Sequence, residues 1–164
     1  MNSAEQSFDR LVAALDYPLF VVTAAGEEPS GCLVGFATQC SISPPRFLVC
    51  ISDKNHTFPV ATEVPALAVH VLPASAYGLA QLFGGETGDE LDKFARCTWH
   101  PGPDGLPILD DCSRWFAGRV VDRCRLGDHV AFVLEPFAAS DGDGSGEDAL
   151  SFQQVKQLDP GHEP

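Results

Sequence analysis

Basic residues are scarce in this chain: ten Lys and Arg stand against 23 Asp and Glu, a formal net charge of −13. No basic cluster interrupts that acidity. Phosphate backbones and anionic lipid surfaces are therefore repelled, so neither nucleic acid nor membrane is expected as a partner. Long apolar runs are missing as well. The longest, around 130–134, falls far short of the roughly 20 residues that span a bilayer. The first residues, MNSAEQ, have neither a basic start nor an apolar core, so no signal peptide is expected and the cytoplasm is the default location.

Cysteine pairs at metal or disulfide spacing are also lacking. The six cysteines, at 32, 40, 50, 97, 112 and 124, include no C-x-x-C. In a reducing compartment, Cys32 and Cys50 then read as small hydrophobes within apolar strands. A zinc site drawn from Cys97, His100, Cys112, Cys124 and His129 lacks closely spaced ligand pairs, and no metal is expected. No G-x-S-x-G elbow or cysteine-protease signature accompanies the candidate nucleophiles Cys40, Ser41 and Cys97. The run 141–148 starts like a calcium loop, but its twelfth position is Phe152 instead of a bidentate glutamate. It reads as a solvated linker.

What the chain does have is enough length for one domain with a sizeable core: 164 residues, 45% apolar and 20% charged. The spacing of Phe8, Leu11, Val12 and Leu15 predicts a helix over 3–15, ended before Pro18. Strands are expected at 19–23, 32–37, 47–52, 67–72, 114–123 and 129–138, with the first two forming a hairpin across the Gly/Pro-punctuated turn 24–31. Short helices are expected at Thr57–Glu63, from Ser75 to Gly84-Gly85, and at 89–94. Residues 1–140 then form the folded domain, and 141–164 an acidic, Gly-rich, partly mobile tail. Five or six strands without regular βαβ alternation point to a mainly β fold with helical inserts, an antiparallel barrel instead of a Rossmann sheet.

The densest chemistry lies between Ser30 and Thr57. A polar corner, Thr38-Gln39-Cys40-Ser41, follows the apolar run 32–37, and a second polar cluster, Lys54-Asn55-His56-Thr57, follows the next strand. Backbone groups and short hydroxyls at the first suit the edge of a flat heterocycle. Amides, hydroxyls and a cation at Ser52–Thr57 suit a single phosphate.

These residues, in order with Tyr17-Pro18-Leu19-Phe20, Ser43-Pro44-Pro45, Leu82-Phe83-Gly84-Gly85, Asp92-Lys93-Phe94 and Gly127-Asp128-His129, resemble the flavin reductase-like family of FMN-binding split barrels. The resemblance covers about 17–138. It implies an antiparallel Greek-key split β-barrel and an NAD(P)H-dependent flavin reductase that passes hydride from nicotinamide to FMN, or to FAD. It further implies that Val34, Gly35, Phe36, Thr38, Gln39, Cys40 and Ser41 contact the isoalloxazine, and that Ser52, Lys54, Asn55, His56 and Thr57 hold the phosphate. His129 would be the catalytic residue beside the nicotinamide of NADH or NADPH. A homodimer is implied, as is a monooxygenase partner that receives reduced flavin. Two alternatives stay open: a flavin- or haem-binding module without turnover, and a deazaflavin-dependent reductase.

Overall fold

The computed structural model describes residues 2–85, 91–144 and 146–158. Helix α1 spans Ser3–Ala13 and is started by a reciprocal capping box. The Asn2 side chain accepts from the Glu5 amide at 2.9 Å, and the Glu5 carboxylate accepts from the Asn2 amide at 2.7 Å. The main sheet has seven antiparallel strands: β1 (Phe20–Ala25), β2 (Pro29–Val34), β3 (Ala37–Ser41), β4 (Arg46–Ser52), β5 (Ala66–Val71), β8 (Arg114–Arg125) and β9 (His129–Asp141). Their spatial order is β2-β1-β5-β8-β9-β4-β3. A separate two-stranded ribbon, β6 (Trp99–Pro101) and β7 (Pro107–Leu109), folds from the Gly/Pro-rich excursion.

The ladder is open, ending at β2 on one side and β3 on the other. It nevertheless curls like a barrel. Cys32 and Val34 of β2, Val49 and Ile51 of β4, and Phe132 and Leu134 of β9 all share one core with Val22 and Val69. The expected barrel is therefore a split one whose two halves meet through side chains and not through a closing ladder. Burial on both faces explains why β1 reads as an apolar run interrupted by Thr23 alone, whose hydroxyl donates to the Pro107 carbonyl at 2.7 Å. Phe20, Val22 and Ala24 enter that inner core, while Leu19 and Val21 enter a second one with Leu79 and Phe83 of helix α3 (Tyr77–Gly85), Leu109 and Leu150.

Helix α2 occupies Thr57–Glu63 as the sequence predicts, with Thr57 and Ala61 buried. The helix expected over 89–94 is a 3-10 turn at Lys93–Ala95, while Asp89 and Glu90 lie outside the described residues. The larger correction concerns 38–41. Those residues are not a corner closing the apolar run; they belong to β3, which pairs with β4 from Ala37↔Val49 to Ser41↔Arg46. The apolar run breaks at Gly35 and Phe36 instead, because Tyr17 packs over Gly35: a Cβ there would stand 2.8 Å from the Tyr17 ring.

After the acidic stretch, residues 149–158 return to the body. The Leu150 amide donates to the Leu72 carbonyl at 2.8 Å, the Leu19 amide to the Leu150 carbonyl at 2.9 Å, and the Phe152 amide to the Tyr17 carbonyl at 2.9 Å. A short helix α4, Phe152–Val155, follows. Among the described residues no helix is long and apolar enough to cross a membrane.

Candidate functional site

A cleft of about 360 Å³ opens where β2, β4, the end of α3 and the C-terminal segment meet. That volume lies within the range of about 300–1,000 Å³ usual for small-molecule sites. One wall is the curled sheet: Cys32 to Val34 on β2, the Gly35-Phe36 break, and Cys50, Ile51 and Ser52 on β4. The opposite wall is Tyr17 with Phe152, Val155, Lys156 and Leu158. Gly84 closes one end. A Cβ on it would come within 2.5 Å of Leu33 Cδ2 and 3.2 Å of Leu33 Cβ, so any larger residue forces the Leu33 side chain to shift.

The Ser52–Thr57 turn is built by its own hydrogen bonds. The Asn55 amide donates to the Ser52 carbonyl at 3.0 Å, and the Thr57 amide to Asn55 Oδ1 at 2.9 Å. The Lys54 amide reaches Ser52 Oγ at 3.3 Å. Beneath it, the buried Thr57 and Ser30 hydroxyls are 2.8 Å apart, which ties the start of α2 to β2. The turn is also fastened to the β8–β9 hairpin. The Asp53 amide donates to the Asp128 carbonyl at 2.9 Å, and Arg125 pairs with Asp53 at 2.6 Å.

Sheet register delivers His129 to the same place, since it pairs directly with Ser52. Its Nδ1 lies 2.7 Å from Asp128 Oδ1, and its ring stands 5.2 Å from that of Phe36. Asp128 is held below the usual carboxylate range, chiefly by the hydrogen bond and charge of His129. Across the cleft, Tyr17 stacks on Phe152 with ring centroids 4.8 Å apart and planes within 10°. Burial, then the charge of Asp16, pushes the Tyr17 phenol up. Burial likewise pushes the Cys32 thiol up to about 11, against the opposing influence of Lys93 and the Thr57 hydroxyl.

Of the residues singled out from sequence, the cleft brings together Val34, Gly35, Phe36, Ser52, Asn55 and His129. Thr38, Gln39 and Cys40 are exposed on the edge strand β3, and Ser41 is half-buried at its end. Lys54 and His56 are exposed beside the Asn55 turn, and Thr57 lies under it. The zinc candidates do not all gather: Cys97 and Cys112 share the second core, Cys124 is exposed, His100 pairs with Asp110 at 2.6 Å, and His129 lies at the cleft.

Sequence reasoning missed Tyr17, Gly84 and the whole C-terminal wall as lining residues. A signal for the last was present: Ser151 followed three residues later by Gln154 is a helix-start pattern. The Ser151 amide indeed donates to Gln154 Oε1 at 2.8 Å.

The arrangement suits a flat, largely apolar ring system bearing an anion. The cleft walls are aliphatic, aromatic and thiol groups, and no carboxylate lines it among the described residues, in a chain with 23 acids. Gly35 and Gly84 let Tyr17 and Leu33 close in on the walls of the cleft, and the polar side chains of Ser52 and Asn55 line it. A flavin fits this donor set.

Comparison with known proteins agrees. A protein of Rhizobium meliloti (strain 1021) named "Probable flavin reductase" is 31% identical over 115 residues, covering 69% of this chain; the chain spans only 36% of that protein's length. The "FMN reductase (NADH) RutF" of Bradyrhizobium diazoefficiens is 32% identical over 147 residues, covering 84% of this chain and 79% of the relative. In fold, the chain superimposes on the Streptomyces globisporus C-1027 NADH:FAD oxidoreductase SgcE6 with a TM-score of 0.82. That match has 24% identity and covers 92% of this chain and 90% of the other. Residues 12–159 match the flavin reductase like domain, and the chain belongs to that family.

Proposed function

We propose that this chain is an NADH-dependent FMN reductase that uses the cleft between the curled sheet and the C-terminal wall. The observation that carries the reading is the convergence of the Ser52–Asn55 turn, the Val34–Phe36 break and His129 on one cleft that no carboxylate lines among the described residues. The RutF relatives, at about a third identity over most of their length, support both the flavin and the nicotinamide. When bound, FMN supplies a ring that accepts hydride from the nicotinamide.

The protein's part is positioning. Val34, Gly35 and Phe36 flank the ring edge. Ser52 and Asn55, with Lys54 and His56 beside them, receive the phosphate, and Thr57 braces that turn from below through Ser30. His129, oriented by Asp128, faces the mouth of the cleft, where it orders the nicotinamide and shields the reacting pair from water. Thr38, Gln39, Cys40 and Ser41 lie outside this proposed set because they occupy the exposed edge strand.

The active assembly is proposed to be a homodimer in the cytoplasm that delivers reduced flavin to a monooxygenase. The apolar side chains of Phe8, Leu11 and Leu15 are more than half exposed along the N-terminal helix and just beyond it, and Phe36 is equally bare at the cleft mouth. Such a patch favours a second copy over solvent. The decisive experiment mixes purified protein with FMN and NADH and follows absorbance at the nicotinamide band, with NADPH and FAD as alternatives. FMN-dependent NADH oxidation is expected. No oxidation with any pairing would refute the reading, while tight flavin retention without turnover would favour a carrier.

A further inference from the structure

Lys156 is the one Lys or Arg side chain, of ten in the sequence, that lines the cleft among the described residues. It is solvent-exposed at the cleft, on a turn that the chain holds firmly. Gln153 Nε2 donates to the Ala13 and Leu15 carbonyls at 2.9 and 2.7 Å, and its amide donates to Asp16 Oδ1 at 3.0 Å. Val155 is buried in the second core, and the Leu158 amide closes the turn on the Val155 carbonyl at 2.8 Å. The ammonium is thus carried on an anchored wall and not on a loose end.

Local charge sharpens its effect. Elsewhere the surface of this strongly acidic chain repels an incoming anion, whereas here a cation stands beside a lining without carboxylates among the described residues. Resting on the reading of the cleft as a flavin and nicotinamide site, we propose that Lys156 is a specificity-determining residue. It selects phosphate-bearing nucleotide ligands over their neutral counterparts. The phosphate ester it meets belongs either to the flavin or to the nicotinamide dinucleotide, and the two sources are separable by assay.

The test compares Lys156→Gln and Lys156→Arg with the unaltered protein, using Arg96→Gln as an exposed charge removal outside the cleft. Binding of FMN and of riboflavin is measured by fluorescence quenching without nicotinamide. NADH turnover is then measured with riboflavin as acceptor. Because Lys156 is exposed and its charge partly screened, loss of its contact to phosphate should cost roughly three- to tenfold in affinity.

If the flavin phosphate is the partner, K156Q weakens FMN by that factor and leaves riboflavin unchanged. If the dinucleotide is the partner, K156Q raises the KM for NADH by that factor with kcat and FMN binding unchanged. In either case K156R restores most of the loss, R96Q has no effect, and the difference shrinks as salt rises. The proposal is overturned if both quantities in K156Q stay within twofold of the unaltered protein. Equal weakening of FMN and riboflavin overturns it too, since that would mark a wall without charge selection. If the unaltered protein binds no flavin and oxidises no NADH, the reading of the cleft itself has failed.

Discussion

His70 offers a prediction whose size follows from its surroundings. The ring sits in β5 with no solvent exposure; Nδ1 lies 3.0 Å from the Val21 carbonyl, and Nε2 accepts the Leu109 amide at 3.2 Å. That pairing assigns the proton to Nδ1 and leaves no lone pair for a second one. Burial is the main cause that lowers its pKa from 6.5 to about 4; the Val21 contact opposes this, and the charge of His100 adds to it. A base held neutral in the fold is protonated more readily in the unfolded chain. Its contribution is therefore fully present above pH 6.5, declines as pH falls through the window, and is gone near pH 4.

With about 1.4 kcal/mol for each tenfold change in proton affinity, the difference between pH 7 and pH 4 is about 3 kcal/mol, and between pH 7 and pH 5 about 2 kcal/mol. Urea unfolding of the unaltered protein and of His70→Gln, from pH 4.5 to 7.5, isolates this share. Glutamine can still donate and accept, so H70Q should be less stable at pH 7 but lose less on acidification. The carboxylates held low, Asp16, Asp128 and Glu147, lose their stabilising charge below this window and act alike in both proteins. A stability gap that stays constant across the range would refute the reasoning. Should H70Q fail to fold, the ring's NMR titration serves instead, and a midpoint near 6.5 would be equally fatal.

Thr57→Val removes one partner of the buried Ser30 pair and should cost about 1–2 kcal/mol in denaturant unfolding. Gly35→Ala drives a methyl into the Tyr17 ring, so folding stability should drop by about 1–3 kcal/mol and FMN affinity should fall several-fold; unchanged affinity in the folded variant would remove Tyr17 from the ligand's surroundings. Thiol labelling at pH 8, read by mass spectrometry, should reach the exposed Cys40 and Cys124 first. Cys32 and Cys112, buried and pushed up to about 11 and about 12, should resist until the protein unfolds. His129→Ala should lower turnover more than it weakens FMN binding, because the ring stands at the cleft mouth beside Phe36.

Local pattern was enough for α1, the β1–β2 hairpin, α2, β5, α3 and the β8–β9 hairpin. Each is set by periodicity and by nearby Pro or Gly, and the observed bounds differ from the expected ones by a few residues. The strand identity of 38–41 escaped it because polar residues on an exposed edge carry no burial signature. The curl of the sheet escaped as well, since neighbours such as β5 and β8 are far apart in the chain.

The composition, the motif order and the turn chemistry at Ser52–Thr57 thus indicated, without coordinates, the family, the mainly β architecture and several residues lining one wall of the candidate cleft. The tertiary structure alone decided the other side. Leu150 bonds to Leu19 and Leu72, and Phe152 stacks on Tyr17, joining segments far apart in the chain. Contacts between segments so distant in sequence arise from packing and backbone hydrogen-bond satisfaction in three dimensions, which no local pattern of residues encodes.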